Sequence, residues 1–187
     1  AQSSLYSSGE LGVSQSLVNA YEPGDLRKAV TVKTQFIAQN GLVDNANYFI
    51  KFREPGKVIT NRYDWPINFP IIRYEDVLLM YAEVLNTQGS TSTAVPYLNR
   101  IRQRAGLAAV STSISAADCT TALRKERRVE FAGEGIYWHD LVRWNTGVSV
   151  INQAAAQLNY NFTITTNDYL YQVPLSQIQI AGYDQNP

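Results

Sequence analysis

From residue 71 onward the apolar positions recur at three and four residues: Tyr74, Val77, Leu78, Tyr81, Val84 and Leu85. That spacing predicts a helix with one apolar stripe, and Glu75, Asp76, Glu83 and Asn86 fall largely off it. Gly89 ends this helix, Ser92 is placed to cap a second, and Pro96 is tolerated in the second helix's first turn. Leu98, Ile101 and Ala105 give that helix a buried face. Arg100, Arg102 and Arg104 suit the negative end of its dipole, and Gly106 suits a left-handed terminal residue. Two helices joined by a short turn are the unit of tetratricopeptide-like repeats; one such pair is visible, with no second copy at a fixed period. Ser115 with Asp118 marks the start of a third helix running to about Gly133. The break at Gly133-Glu134-Gly135 then redirects the chain into a short helix over 137–144, and an Ala-rich helical stretch follows over 150–158.

The β signals are weaker. Residues 31–37 alternate in part and read as a strand, and Asn40-Gly41 is placed to close a hairpin with Leu42 and Val43 beyond it. Residues 45–64 read as strand fragments and loop, around 48–52 and a Pro55-Gly56 turn, and residues 160–165 and 169–173 read as strands or extended segments. The expected fold is mainly α: a tetratricopeptide-like helix pair plus further helices, with irregular loops and minor β strands.

Length and charge then narrow the function. A chain of 187 residues buries roughly 70% of its unfolded surface, enough for one core, so residues 1–187 are expected to form a single domain. Sixteen Lys and Arg balance sixteen Asp and Glu, which leaves no global field for phosphate backbones and excludes nucleic acid as an expected partner. No apolar run approaches the ~18 residues of a membrane span. Cys119 is the single cysteine and has no intrachain disulfide partner.

Candidate chemistry is concentrated in two places. Glu126, Glu130 and Glu134 recur every four residues and so share one helix face, ~5–6 Å apart at Cβ. Paired carboxyls suggest a glycosidase, but that mechanism sets them on opposite sides of a cleft and needs one with a raised pKa. The interleaved Arg124, Lys125, Arg127 and Arg128 act the other way. The favoured reading is a structural ion-pair lattice comprising Glu126, Arg127, Arg128, Glu130, Asp140 and Arg143. His139 beside Asp140 suggests a metal site or dyad. A lone histidine with no cysteine partner is poor ligand material, and a polar residue packed beside Trp138, Leu141 and Trp144 is the simpler role. No phosphate loop, paired-cysteine motif or nucleophile elbow is present, so no cofactor, metal or catalytic residue is expected.

The second place is 61–68, where Asn61, Arg62, Tyr63, Asp64, Trp65 and Asn68 follow closely. In an extended chain Tyr63 and Trp65 point to one side, offering flat apolar faces to the C–H face of a pyranose while the amides, guanidinium and carboxylate bind its hydroxyls. Trp65 packing ahead of Pro66 to anchor the loop explains the same residues equally well.

Four strings in order carry a family resemblance. They are residues 18–27 with Tyr21-Glu22 and Asp25-Leu26-Arg27, residues 69–83 from Phe69 to Glu83, residues 122–144 with Glu126-Arg127-Arg128 and Trp144, and the end from Val173-Pro174 to Asn186-Pro187. Together they resemble the C-terminal region of the SusD/RagB family, nutrient-binding outer-membrane lipoproteins of Bacteroidetes. The resemblance implies a binding protein rather than an enzyme, with oligosaccharide passed to a SusC-like TonB-dependent transporter and membrane contact only through a lipid anchor. Against the family pattern, the N-terminal helical repeats and the lipid-anchor segment are absent from this sequence. The alternatives are a helical scaffold docking on the transporter, or a non-glycan nutrient such as peptide.

Overall fold

The computed structural model describes residues 12–37, 41–52 and 68–186. The chain divides into two compact units, one up to Gly135 and one from Ile136. Among the described residues the first unit holds five α-helices and four two-residue strands, and the second holds three α-helices and a 3₁₀ turn, so the fold is mainly α.

In the first unit, α1 (Gln15–Ala20) and α2 (Leu26–Thr31) start where Ser14 and Asp25 accept hydrogen bonds from backbone N–H groups of their first turns. The strands β1 (Val32–Lys33), β2 (Phe36–Ile37), β3 (Val43–Asp44) and β4 (Tyr48–Phe49) nest: β2 pairs antiparallel with β3, and β1 with β4. Ile37 sits opposite Val43, so the expected hairpin exists, with residues 38–42 as its connection rather than a two-residue turn. Asn40 and the Pro55-Gly56 turn lie outside the described residues. Val13, Leu17, Val18 and Tyr21 pack with Val32, Val129 and Ala132, so α1 and β1 close a small core against the end of α5.

The helix pair is α3 (Tyr74–Thr87) and α4 (Thr91–Arg104), with Gly89 left-handed at φ 80 between them. Ser90, not Ser92, is the residue before α4, and its side chain makes no cap bond; Pro96 lies inside the helix, past its first turn. Leu98, Ile101 and Ala105 are buried as expected. The buried face of α3 matches the expected stripe only in part, at Leu78 and the half-buried Leu85. Leu78, Leu79 and Ala82 face inward, whereas Tyr74, Val77, Tyr81 and Val84 are exposed. Two polar side chains share the buried face because each has partners there. Asp76 accepts from Arg127, and Asn86 donates to Ala116 O and Thr120 Oγ1 and accepts from Thr91 Oγ1.

The last helix of this unit, α5 (Ala116–Glu130), begins at Ser115, whose Oγ accepts from Asp118 N at 3.0 Å and donates to the Asp118 carboxylate at 2.7 Å. Cys119 and Leu123 are buried on its inner face, and burial pushes the Cys119 thiol pKa up.

The second unit contains α6 (Tyr137–Arg143), α7 (Gly147–Gln157) and α8 (Leu175–Ala181), with the 3₁₀ turn over Thr166–Tyr169. Residues 160–165 form no helix and pair with no strand among the described residues. The short α8, which no helical pattern in the sequence marked, follows Pro174 and stops at the left-handed Gly182 (φ 67). No helix among the described residues is long and apolar enough to cross a membrane.

Candidate functional site

The helix α5 carries Glu126 and Glu130 one turn apart, and Glu134 follows just beyond its end. All three side chains are buried. A carboxylate without a partner would neutralise there, and the first unit supplies partners from elements distant in sequence. Arg27 of α2 reaches Glu126 at 2.6 Å and Glu130 at 3.0 Å while its Nε and Nη2 bind both oxygens of Asp25. Arg102 of α4 forks onto Glu22 at 2.9 and 3.1 Å and touches Glu126 at 3.3 Å. Arg104 meets Glu130 at 2.6 Å, and Arg127 meets Asp76 at 2.7 Å. The guanidinium groups of Arg73 and Arg127 also lie 4.9 and 5.0 Å from the Phe131 ring centre.

These surroundings drive neighbouring carboxyls in opposite directions. Burial works to raise Glu130, but hydrogen bonds from Arg27 and Arg104 outweigh it and hold the group at about 2. At Glu126 burial wins over Arg27 and Arg102, and the pKa is raised. Hydrogen bonds from Arg102 hold Glu22 at about 2. Burial lowers Lys51 despite its pairing with Glu134. Glu126, Glu130 and Glu134 are thus engaged by cations within the protein, and their geometry is that of a structural lattice rather than of two carboxyls facing across a cleft.

The lattice also fixes the two ends of the segment that carries the candidate ligand residues. Lys51, just after β4, pairs with Glu134 and donates to the Glu130 carbonyl. Arg73, just before α3, forks onto Glu134 and donates to the same carbonyl at 3.2 Å. Between these two cations the rings of Phe52 and Phe69 meet, with centroids 5.0 Å apart. Gly133, left-handed at φ 80, leaves room for the Phe49 ring; a Cβ there would sit 3.1 Å from it. The described residues on either side of 53–67 are therefore held together at one neck. Asn61, Arg62, Tyr63, Asp64 and Trp65 lie outside the described residues, and Asn68, at the return, is exposed.

Of the remaining expected residues, Arg128 donates to Ser16 Oγ at 2.9 Å. In the second unit Arg143 Nε donates to the buried Asp140 at 2.8 Å, and His139 is exposed. Among the described residues no group of three or more His, Cys, Asp and Glu is placed to hold a metal. The sequence did not identify Lys51, Arg27, Arg73, Arg102 and Arg104 as the counter-charges of Glu126, Glu130 and Glu134. The available signal was that Arg27 and Arg73 stand inside two of the strings that carry the family resemblance.

Comparison with known proteins gives a consistent result. A SusD-like protein, P2, of Formosa agariphila is 31% identical over 150 residues, 75% of this chain and 30% of that protein. A surface glycan-binding protein A from Bacteroides fluxus superposes with a TM-score of 0.74 at 27% identity, covering 94% of this chain and 40% of that one. A laminarin-binding SusD-like protein gives 0.73 at 26%, covering 94% and 38%. The chain thus spans well under half the length of these proteins. Residues 43–187 match the model of the SusD family, and the chain belongs to that family.

Proposed function

We propose that the protein carrying this chain binds an oligosaccharide at the bacterial surface and passes it, uncleaved, to a SusC-like TonB-dependent outer-membrane transporter, as a lipid-anchored outer-membrane protein. The observation that carries the reading is the likeness, above 25% identity, to a surface glycan-binding protein and a laminarin-binding protein. The pinned neck adds physical support, because a ligand site needs its loop held at fixed ends, and Lys51, Arg73, Phe52 and Phe69 hold them. Tyr63 and Trp65 are the stacking residues on this reading, with Asn61, Arg62, Asp64 and Asn68 as hydrogen-bonding groups.

The test is affinity electrophoresis of the full natural protein and its Tyr63→Ala/Trp65→Ala variant in polysaccharide gels, with thermal melts of both. Retardation of the parent that the folded variant loses supports the site. Retardation kept by the variant removes 61–68 from it, and a folded parent that no glycan retards sinks glycan binding itself.

A second reading, a helical scaffold that docks on the transporter, is favoured by one feature. Tyr74, Val77, Met80, Tyr81 and Val84 expose a continuous apolar face on α3. Val77→Glu/Val84→Glu would abolish co-purification with the transporter on this reading, and leave it intact if the face has no docking role.

A further inference from the structure

Between Arg143 and Asp168 the chain carries no Lys, Arg, Asp or Glu. Within this uncharged stretch the Tyr160 and Phe162 rings lie nearly parallel, 23° apart with centroids separated by 6.1 Å, and they are 61% and 51% exposed. Two neighbouring aromatic rings left in solvent forgo the burial that normally favours such side chains. Around them Asn159, Asn161 and Thr163 are also exposed, so amides and a hydroxyl flank the apolar faces.

The segment that presents these rings is held at both ends. At its start α7 closes with Asn159 left-handed at φ 56, and Tyr160 N donates to Ala155 O at 2.9 Å. At its end the Asn152 side chain brackets Ile164, donating to its carbonyl at 2.9 Å and accepting from its N–H at 2.7 Å. Thr165 and Asp168 then form a capping box, so the Asp168 carboxylate is already accepting from Thr165. The surface is ordered before any ligand arrives, which lowers the entropy cost of binding.

We infer that Tyr160 and Phe162 form a stacking ledge for a neutral oligosaccharide, an additional binding element in the second unit. The inference rests on the glycan-binding reading above and specifies the class of glycan. Aromatic faces receive the C–H face of a sugar ring, and Asn159, Asn161 and Thr163 bind its hydroxyls. Residues 144–167 supply no cation to offset the charge of a sulfated or uronic acid polymer and no carboxylate for a cationic ligand.

The experiment is affinity electrophoresis of the full natural protein against laminarin, dextran and xyloglucan as neutral polymers and alginate and carrageenan as anionic ones. Two variants accompany it, Tyr160→Ala/Phe162→Ala and Tyr160→Leu/Phe162→Leu, each checked by thermal melting. The leucine pair keeps an apolar packing role and removes the flat rings, and it stands in for the alanine pair if that variant does not fold. The expected result is retardation of the parent by a neutral polymer, weakened roughly tenfold or more in both variants. Binding restored by leucine would show a packing surface and overturn the ledge. Unchanged binding in the folded alanine pair would overturn the ledge and leave glycan binding standing. Retardation by alginate or carrageenan alone would overturn the neutral class. A parent that binds none of the polymers overturns the ledge together with the reading on which it rests.

Discussion

Arg73 grips Glu134 with a fork: Nε and Nη2 lie 3.0 and 2.9 Å from the two carboxylate oxygens. Glu134 is almost fully buried, so its charge depends on this partner and on Lys51. Truncating Arg73 removes the fork and leaves the buried Glu134 with Lys51 alone, so Arg73→Ala is expected to lower stability by about 3 kcal/mol. Arg104→Ala removes a guanidinium that is half in solvent and is expected to cost about 1 kcal/mol or less. Urea unfolding of the two variants checks the order, and equal losses would contradict the buried fork.

Acid should weaken the fold through particular groups. Glu130 and Glu22 are held at about 2 in the folded protein, below the ordinary carboxylate value of roughly 4.3. A lowered folded pKa means stability that is present above the unfolded value and lost as pH falls toward the folded one. The loss therefore lies between about pH 4.5 and pH 2. Glu126 acts in the opposite sense: its raised pKa costs stability when ionised and gives some back on protonation. Urea midpoints at pH 7 and pH 3 should fall with acid, and Glu130→Gln should start lower and fall less. An unaltered slope in that variant would assign the acid sensitivity to other groups.

The helix α3 shows which parts of the fold local pattern reveals. Periodicity marks the helix correctly but cannot choose between two apolar faces. Of the stripe read from sequence, Tyr74, Val77, Tyr81 and Val84 face solvent and Leu85 is half-buried, while Leu78 faces inward together with Leu79, Ala82, Asp76 and Asn86. Burial of Asp76 and Asn86 depends on Arg127, Thr91, Ala116 and Thr120, residues that no window around α3 contains. The caps at Ser115 and Gly106, by contrast, are local chemistry and were legible. The same distinction governs the lattice. Helical spacing puts Glu126 and Glu130 on one face, while Arg27 and Arg104 arrive only through the tertiary fold. The candidate ligand residues Tyr63 and Trp65 were readable as residue types suited to sugars; their arrangement is not a property of composition.

This two-faced character of α3 can be measured directly. Leu79 is 0% exposed and Val84 is 50% exposed. Leu79→Ala opens a cavity and is expected to cost about 2–5 kcal/mol, whereas Val84→Ala should stay within about 1 kcal/mol. Chemical denaturation of the two single variants decides it. A larger loss at Val84 would mean that the periodic stripe, not the Leu79 face, is the packed one.

Gly147 offers a test inside the second unit, because a substitution that ordinarily helps a helix should hurt it here. Replacing glycine by alanine within a helix gains about 0.5–1 kcal/mol, and Gly147 is the first residue of α7. Its Cβ, however, would lie 2.9 Å from Cε1 and 3.1 Å from Oη of Tyr169. That ring is held by Val148 N–H, which donates to Oη at 3.0 Å, and by an edge contact with Trp138 at 5.9 Å. Gly147→Ala must therefore displace Tyr169 from both, with an expected loss of about 1–3 kcal/mol. In a Tyr169→Leu background the obstacle is gone, and the same substitution should be neutral or mildly stabilising. A double-mutant cycle by thermal or urea unfolding isolates the coupling; additive effects would show that Tyr169 does not occupy the space beside Gly147.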